Sequence, residues 1–432
     1  MAGRYYAQID AGADTAIVAD TGGTTYDVSL VRRGVIPMTA ETWLGQPKRG
    51  HLVGFPSVDV KSIGAGGGSI AWVDSGGLLH VGPQSAGAVP GPACYGQGGE
   101  KPTVTDAALV LGYIDPDYFL GGELKLMPDL AARSIQTHLC PYLKLDLLQA
   151  ASAVMILATE NMVGAIEEIT IQQGLDPRTA VLVGAGGAAG LNAVGVAKRL
   201  GCSRVIIPEL VAALSAQGAL ISDLHADYRA VFSSSTADFN YQGVNATLEN
   251  LLARCSRFIE TTGAGSVENS IEVNAEAHYM SQVWDIEVPV NVQRFDGPGD
   301  VAKVRQDFDR CHEELFSFRD PNSEVQFLGW RATARCRLAE RGSGRRIFNQ
   351  DARSKAPTAR KAFFEGLGLI DCDVLMFGRL KTGEAAAGPA IIESPFTTIV
   401  IEPGSRAVKT ESGSLFITIE AAVNEQVAKG RQ

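Results

Sequence analysis

Residues 16–31, AIVADTGGTTYDVSLV, constrain the fold of this chain more than any other stretch. Ile17 and Val18 lead into Asp20, the chain turns at Thr21-Gly22-Gly23-Thr24-Thr25, and Val28 and Leu30 then alternate with Asp27 and Ser29. That pattern is a strand, a tight turn and a returning strand of period two. Two adjacent glycines let backbone N–H groups turn inward as an anion nest. The Thr24 and Thr25 hydroxyls add donors that also accept from a Mg²⁺-bound water. Asp20, at the strand end, can hold Mg²⁺ through its waters or orient an attacking oxygen, and Asp27 can orient the threonines from the returning strand. The same residues describe a plain hairpin equally well, with Gly-Gly supplying positive φ and Asp20 capping the turn.

A second glycine-rich turn lies about 160 residues on. Val181–Val183 is a buried strand, Gly184-Ala185-Gly186-Gly187 a turn, 188–200 a helix of small residues ending at Gly201, and Arg204–Ile207 a strand stopped by Pro208. At such a turn the backbone can approach a nucleotide, and the helix N-terminus favours anions. In a dinucleotide fold, Gly184-x-Gly186-x-x-Ala189 would hold a pyrophosphate and Glu209 a ribose. In an actin-like ATPase fold the turn closes over adenosine while the first hairpin takes the phosphates. Simple close packing of helix on strand is the third reading. A nicotinamide domain opens a run of βαβ units, whereas here the sheet ends near Pro208. The two glycine-rich elements together favour the actin-like arrangement.

The remaining chain sets the frame. Residues 35–100 are rich in Gly and Pro, with strand candidates at Ile70–Val73 and Leu78–Val81. Thr103 and Thr105-Asp106 open a helix over 103–112, and 146–173 is a long helix ending at Gly174. Beyond about 230, strand-like segments (Ile271–Val273, Val283–Val290, Gln326–Cys336) surround one charged helix at 300–317, and short strands and turns fill Gly388–Ile419. These changes predict two domains, 1–228 and 229–432. A chain of 432 residues, 45% hydrophobic, has enough for such cores. Its net charge of −10 without a Lys/Arg run makes nucleic acid or an anionic membrane a poor partner. The seven cysteines are scattered with no C-x-x-C pair, which predicts reduced thiols in a cytoplasm, and the dispersed histidines argue against a metal cage. No apolar stretch of about 20 residues is read in the chain and the N-terminus lacks a signal-peptide core, so no membrane span is expected.

Several further residues admit two roles. Cys94 in the Gly91–Gly96 loop either lines a cleft or fills the core, and burial is favoured. Asp106 is a site residue or a helix cap. Asn161 is a buried anchor or faces solvent. His51 and His80 have no nearby acid in the sequence and are expected to be structural; 340–346 is expected to be a solvated loop.

ADTGGTTYDVSLVRRG, KSIGAGGGSIAWVDSGGLLHVGPQSAGAVPGPACYG, KPTVTDAALVLGYI, VGAGGAAGLNAVGVAKRLG, ALSAQGALISD and GPAIIESPFTTIVIEPG together resemble the hydantoinase A/oxoprolinase family over nearly the whole chain. The runs at 58–96 and 186–192 look closest to its ketone-carboxylating branch, the acetone and acetophenone carboxylases. The resemblance implies an α/β actin-like ATPase half-fold (sugar-kinase/Hsp70 type) followed by a β-rich α+β domain. It makes Asp20 to Asp27 the second phosphate hairpin, with Gly22, Gly23, Thr24 and Thr25 as ligands to ATP. Gly184, Gly186, Gly187 and Asn192 become the adenosine loop, and Ser215 a site-lining residue. Many family members carry histidine where this chain has Asn192, which fits ketone carboxylation better than hydrolysis of hydantoin or oxoproline. Family members also begin with a domain bearing a first phosphate loop, absent here, so a complementing subunit or a longer chain is expected to supply it.

The implied activity is Mg-ATP-dependent phosphorylation of bicarbonate and of a ketone enolate, joined by a hydantoinase B-like subunit bearing a transition metal. ATP-dependent hydrolysis of a hydantoin or lactam is the alternative enzyme. A scaffold with an incomplete ATP site is the alternative without catalysis. One lost donor to a transferring phosphoryl group can cost about 2.7–4 kcal/mol of barrier, so the isolated chain is expected to fold without turning ATP over.

Overall fold

A computed structural model describes residues 1–39, 43–44, 49–53, 57–338 and 359–420. Among these, two compact units form, one from 1–220 with 359–420, the other from 221–338.

The first unit is built on an eight-stranded sheet. In chain order its strands are β1 (Ala16–Thr21), β2 (Tyr26–Val31), β3 (Val60–Ile63), β4 (Val181–Ala185), β5 (Arg204–Ile207), β6 (Ala385–Ala387), β7 (Ser405–Lys409) and β8 (Leu415–Ile419). They lie in the order β6-β7-β8-β5-β4-β1-β2-β3. The pairs β1–β4 and β4–β5 are parallel and the other pairs antiparallel. Three helices matter for the site: α1 (Val104–Val110), α2 (Leu147–Gln172) and α3 (Ala189–Leu200).

Each element follows from local chemistry. Thr103 and Asp106 form a reciprocal capping box at the start of α1. Asp146 and Gln149 do the same for α2. Gly201, at φ 73°, closes α3 in the left-handed conformation that glycine adopts freely. The C-terminal part of α2 buries Met162, Ile166 and Ile169 with Ile17, Val28 and Leu30 of the sheet and Val194 of α3. Its N-terminal part buries Val154 and Ala158 with Val104, Ala107 and Leu111 around α1. This one helix therefore spans two cores. It is also long and apolar enough, by length and composition, to cross a membrane. An apolar stretch of this length was not expected; its aliphatic residues are those that the two cores bury, and Glu160, Glu167 and Glu168 interrupt it.

The second unit is an antiparallel sheet in the order Leu224–Ser235, Val325–Arg337, Glu268–Tyr279, Ile286–Pro289. Its core holds Trp330, Tyr279, Phe295, Phe308 and Phe327. The charged helix is present as Pro298–Phe316. A second helix, Tyr241–Thr261, was not anticipated; its Val244, Leu248, Leu251 and Cys255 recur at helical spacing behind an Asn240 cap.

The predicted division at 228/229 into two continuous domains differs from this arrangement. Ile221 already begins the second unit, and the last third of the expected C-terminal domain returns to the first. The reason is β8, which pairs with β5 from Arg204↔Thr418 to Ile207↔Leu415 and supplies the strand that a parallel run ending at Pro208 leaves unpaired. The 340–346 segment lies outside the described residues.

Candidate functional site

The parallel strands β1 and β4 end side by side, with Asp20 opposite Ala185. Asp20 also stands directly across from Asp27 on β2. The hairpin tip and the turn after β4 are thus brought to one end of the sheet. Ala188 N–H donates to Thr21 O at 3.1 Å. A Cβ on Gly186 would lie 2.2 Å from Thr21 O and 2.5 Å from Asp20 Oδ1, so only glycine permits this contact.

The Gly64–Gly68 loop supports the hairpin from behind. Gly67 N–H donates to Gly22 O at 3.1 Å and Gly68 N–H to Gly23 O at 2.7 Å. A Cβ on Gly66 would sit 2.7 Å from Gly22 O. Thr105, at the start of α1, fixes the loop in turn, its N–H and its hydroxyl both donating to Gly67 O at 2.8 Å. The geometry has a direct consequence. In a trans peptide the N–H points opposite to the preceding C=O. With both carbonyls aimed into the loop, the N–H groups of Gly23 and Thr24 point the other way, from an exposed tip. Two successive N–H groups facing outward together can receive an anion.

The side chains around the nest are oxygen donors. Ser215 Oγ donates to Asp20 Oδ2 at 3.0 Å, Thr25 Oγ1 to Asp27 Oδ2 at 3.1 Å, and Thr24 Oγ1 lies 3.3 Å from Ser85 Oγ. Partial burial raises the pKa of Asp20; the Ser215 bond opposes this and the Asp27 charge adds to it. Two facing carboxylates with hydroxyls beside them suit a hard cation such as Mg²⁺. Among the described residues no group of three or more His, Cys, Asp or Glu could hold a metal. A cation here would therefore complete its shell with waters and with ligand oxygens. A cleft of roughly 250 Å³ adjoins the nest, lined by Gly22, Gly23, Gly67, Gly68, Gly187 and Ala188 at one side and by aromatic and aliphatic residues at the other.

Residues 2–228 match the family described as Hydantoinase/oxoprolinase, and residues 233–416 match the Hydantoinase/oxoprolinase C-terminal domain. The chain belongs to the hydantoinase/oxoprolinase family. It is 32% identical over 413 residues to the caprolactamase subunit alpha of Pseudomonas jessenii, covering 94% of this chain and 58% of that one. It is 29% identical over 460 residues to the acetophenone carboxylase gamma subunit of Aromatoleum aromaticum, covering 98% and 59%. The solved nucleotide-free structure of acetone carboxylase shares the mixed α/β fold with a TM-score of 0.79 at 22% identity, over 96% of this chain and 60% of that one. The chain thus spans a little under 60% of the length of these two curated relatives.

In this hydantoinase/oxoprolinase chain the expected site residues do not all meet. Asp20, Asp27, Gly22, Gly23, Thr24, Thr25 and Ser215 gather at the hairpin, and Gly186 and Gly187 lie against it. Gly184, paired with Ala19 on β1, packs against β5: a Cβ there would lie 2.5 Å from Ile207 Cδ1. Asn192 is buried, donates to Thr159 Oγ1 at 2.8 Å and lines a different cavity beside Lys198 and Glu402. Asn192, expected in the adenosine loop, thus faces α2 at Thr159 rather than the cleft beside the hairpin tip.

Asp106 is fully buried and accepts from Ala93 N, Cys94 N, Thr103 N and Thr103 Oγ1 at 2.7–3.2 Å. It caps α1 and holds the Gly91–Gly96 loop. Cys94 is buried, and burial together with Asp106 pushes its thiol pKa up. Asn161 is an anchor, donating to Val81 O at 3.1 Å. His80, expected to lack an acid, pairs with Asp74 at 2.8 Å and stacks on Trp72, because the 69–85 hairpin folds Asp74 back onto it. Sequence reasoning missed Thr105 as the brace of the loop, and missed Ser394–Thr398 as a cleft wall. The Gly64–Gly68 cluster was the only signal for the former.

Proposed function

We propose that this chain binds the phosphates of Mg-ATP at the Asp20–Asp27 hairpin and promotes transfer of the terminal phosphoryl group to a carbonyl-derived oxygen. It would act as the nucleotide-handling part of a multi-subunit enzyme. The observation that carries this reading is the anchoring of the Gly22 and Gly23 carbonyls by Gly67 and Gly68, which turns two N–H groups outward. The strand order β3-β2-β1-β4-β5, with hairpin and glycine turn at one end, supports the actin-like half-fold. Asp20 and Asp27 would hold Mg²⁺, which would neutralise phosphate charge, and Ser215 and Thr25 orient those carboxylates. Water, bicarbonate or a second carbon adds poorly to ketones and amides at neutral pH, and phosphorylation turns the oxygen into a leaving group. The acceptor oxygen bonds to the γ-phosphorus as the bond to the ADP oxygen breaks, and the acceptor's proton passes to water. Such transfer needs positioning and charge neutralisation more than covalent help from the protein.

Within this chemistry we favour ketone carboxylation, with bicarbonate as co-substrate and a metal-bearing hydantoinase B-like partner, on the motif runs at 58–96 and 186–192. Cyclic-amide hydrolysis is the second reading, supported by 32% identity to caprolactamase subunit alpha. Phosphate release by the assembled enzyme separates them. Dependence on both bicarbonate and a ketone supports the first; stimulation by a lactam alone overturns it in favour of the second.

A further inference from the structure

We propose that the apolar side of the same cleft is the acceptor site, and that it takes a neutral carbonyl compound with an apolar body while rejecting one that bears a carboxylate. The proposal rests on the phosphate reading of the hairpin. Tyr95, Ile114, Tyr118, Phe119, Leu120 and Phe396 line the cleft, with the hydroxyls of Thr105, Ser394, Thr397 and Thr398 as its neutral polar groups. Tyr95 and Phe119 pack with ring centroids 5.8 Å apart. Among the described residues lining the cleft there is no Lys, Arg, His, Asp or Glu. A carboxylate placed there would lose its hydration with no cation to replace it. Tyr95 is a neutral phenol at neutral pH, and burial pushes its pKa further up, to about 12.

Leu120 also lines this cleft. It adopts φ 52°, ψ 42°, a left-handed conformation that costs a branched residue free energy, and it is followed by Gly121 and Gly122 at φ 69° and 94°. Its side chain is nonetheless half exposed, at the cleft, so core packing does not explain it. Non-glycine residues held in this region cluster at ligand clamps. The segment is held in place by close approach of Gly121 to Pro395, where a Cβ would lie 3.2 Å from the Pro395 Cβ. Two loops of this chain, 118–122 and 394–398, therefore close the apolar end together.

The test uses matched probes with the assembled enzyme: 2-pyrrolidinone against 5-oxoproline, and acetophenone against 4-acetylbenzoate. In at least one pair the neutral compound should stimulate ATP-dependent phosphate release and its carboxylate counterpart should not. Stimulation by a carboxylate member, or by neither member of either pair, overturns the proposal. Leu120→Gly should raise KM for the active neutral probe roughly 10-fold, leave KM for ATP within about twofold, and keep or raise the thermal midpoint, since glycine relieves the strained φ. Phe119→Ala should shift the same KM. A rise in KM for ATP with none for the probe would assign the apolar end to adenine instead. Titration of the wild-type enzyme with ATP reports separately on the hairpin: no ATP binding sinks the phosphate reading itself.

Discussion

At the scale of single residues, Asp20 concentrates the chemistry. Its folded pKa is raised, so between its unfolded value and that raised value the folded state binds more protons than the unfolded one. Stability from this group is greatest at low pH and falls as pH rises through that window. Asp20→Asn should therefore increase the thermal midpoint at pH 7 but not near pH 3, while lowering ATP turnover by about 100-fold or more. Scanning fluorimetry across pH, beside phosphate-release assays, checks both halves; unchanged turnover would remove the hairpin from the mechanism. Ser215→Ala removes the hydrogen bond that holds the Asp20 pKa down, so the acid limb of the pH–rate profile should move to higher pH. Asp106 belongs to a different class. Replacing it with Ala strands four donors in the core and should cost about 3 kcal/mol in urea unfolding. Asp20 and Asp27 were legible in the sequence because both flank one short turn. The roles of Asn192 and His80 were not, since their partners, Thr159 and Asp74, meet them only through a helix pair and a folded hairpin.

At the scale of elements, the two glycine-rich turns and the loop behind them form one unit. Gly186 sits at φ +87° with no room for a methyl group. Gly186→Ala should destabilise by about 1–3 kcal/mol and weaken nucleotide binding, as read by denaturant titration and calorimetry. Gly66→Ala is the sharper probe. Its Cβ would push the loop off the hairpin, free the Gly22 and Gly23 carbonyls to rotate, and disperse the nest. ATP affinity should fall while the far-UV spectrum stays the same; unchanged affinity would count against the nest. The hairpin, α1, α2 and α3 could be anticipated because each carries its own period, cap and terminator. The helix Tyr241–Thr261 escaped notice because polar residues crowd between its apolar positions, and its stabilisation comes from the sheet it covers.

At the scale of the whole molecule, the C-terminal strands complete a sheet begun some 400 residues earlier. A chain ending at residue 384 would lack β6–β8 and expose the edge of β5, with Val205 and Ile207 losing their cover from Ile417 and Leu415. It should aggregate or unfold its first unit, and size-exclusion chromatography with near-UV dichroism would detect either; a monodisperse, ATP-binding product would show that these strands are dispensable. The sequence by itself determined the local pieces: a hairpin with paired glycines and flanking acids, a glycine turn opening a helix, capped helices and a strand-rich second half. Those follow from backbone sterics, hydrogen-bond capping and hydrophobic period, all set within a few residues. Only the tertiary structure decided that the last strands rejoin the first sheet, that the Gly64–Gly68 loop turns the hairpin's N–H groups outward, and that Asn192 faces another cavity. Each depends on pairing an open strand edge or a backbone carbonyl with a donor far along the chain. No local pattern encodes which distant partner will satisfy it.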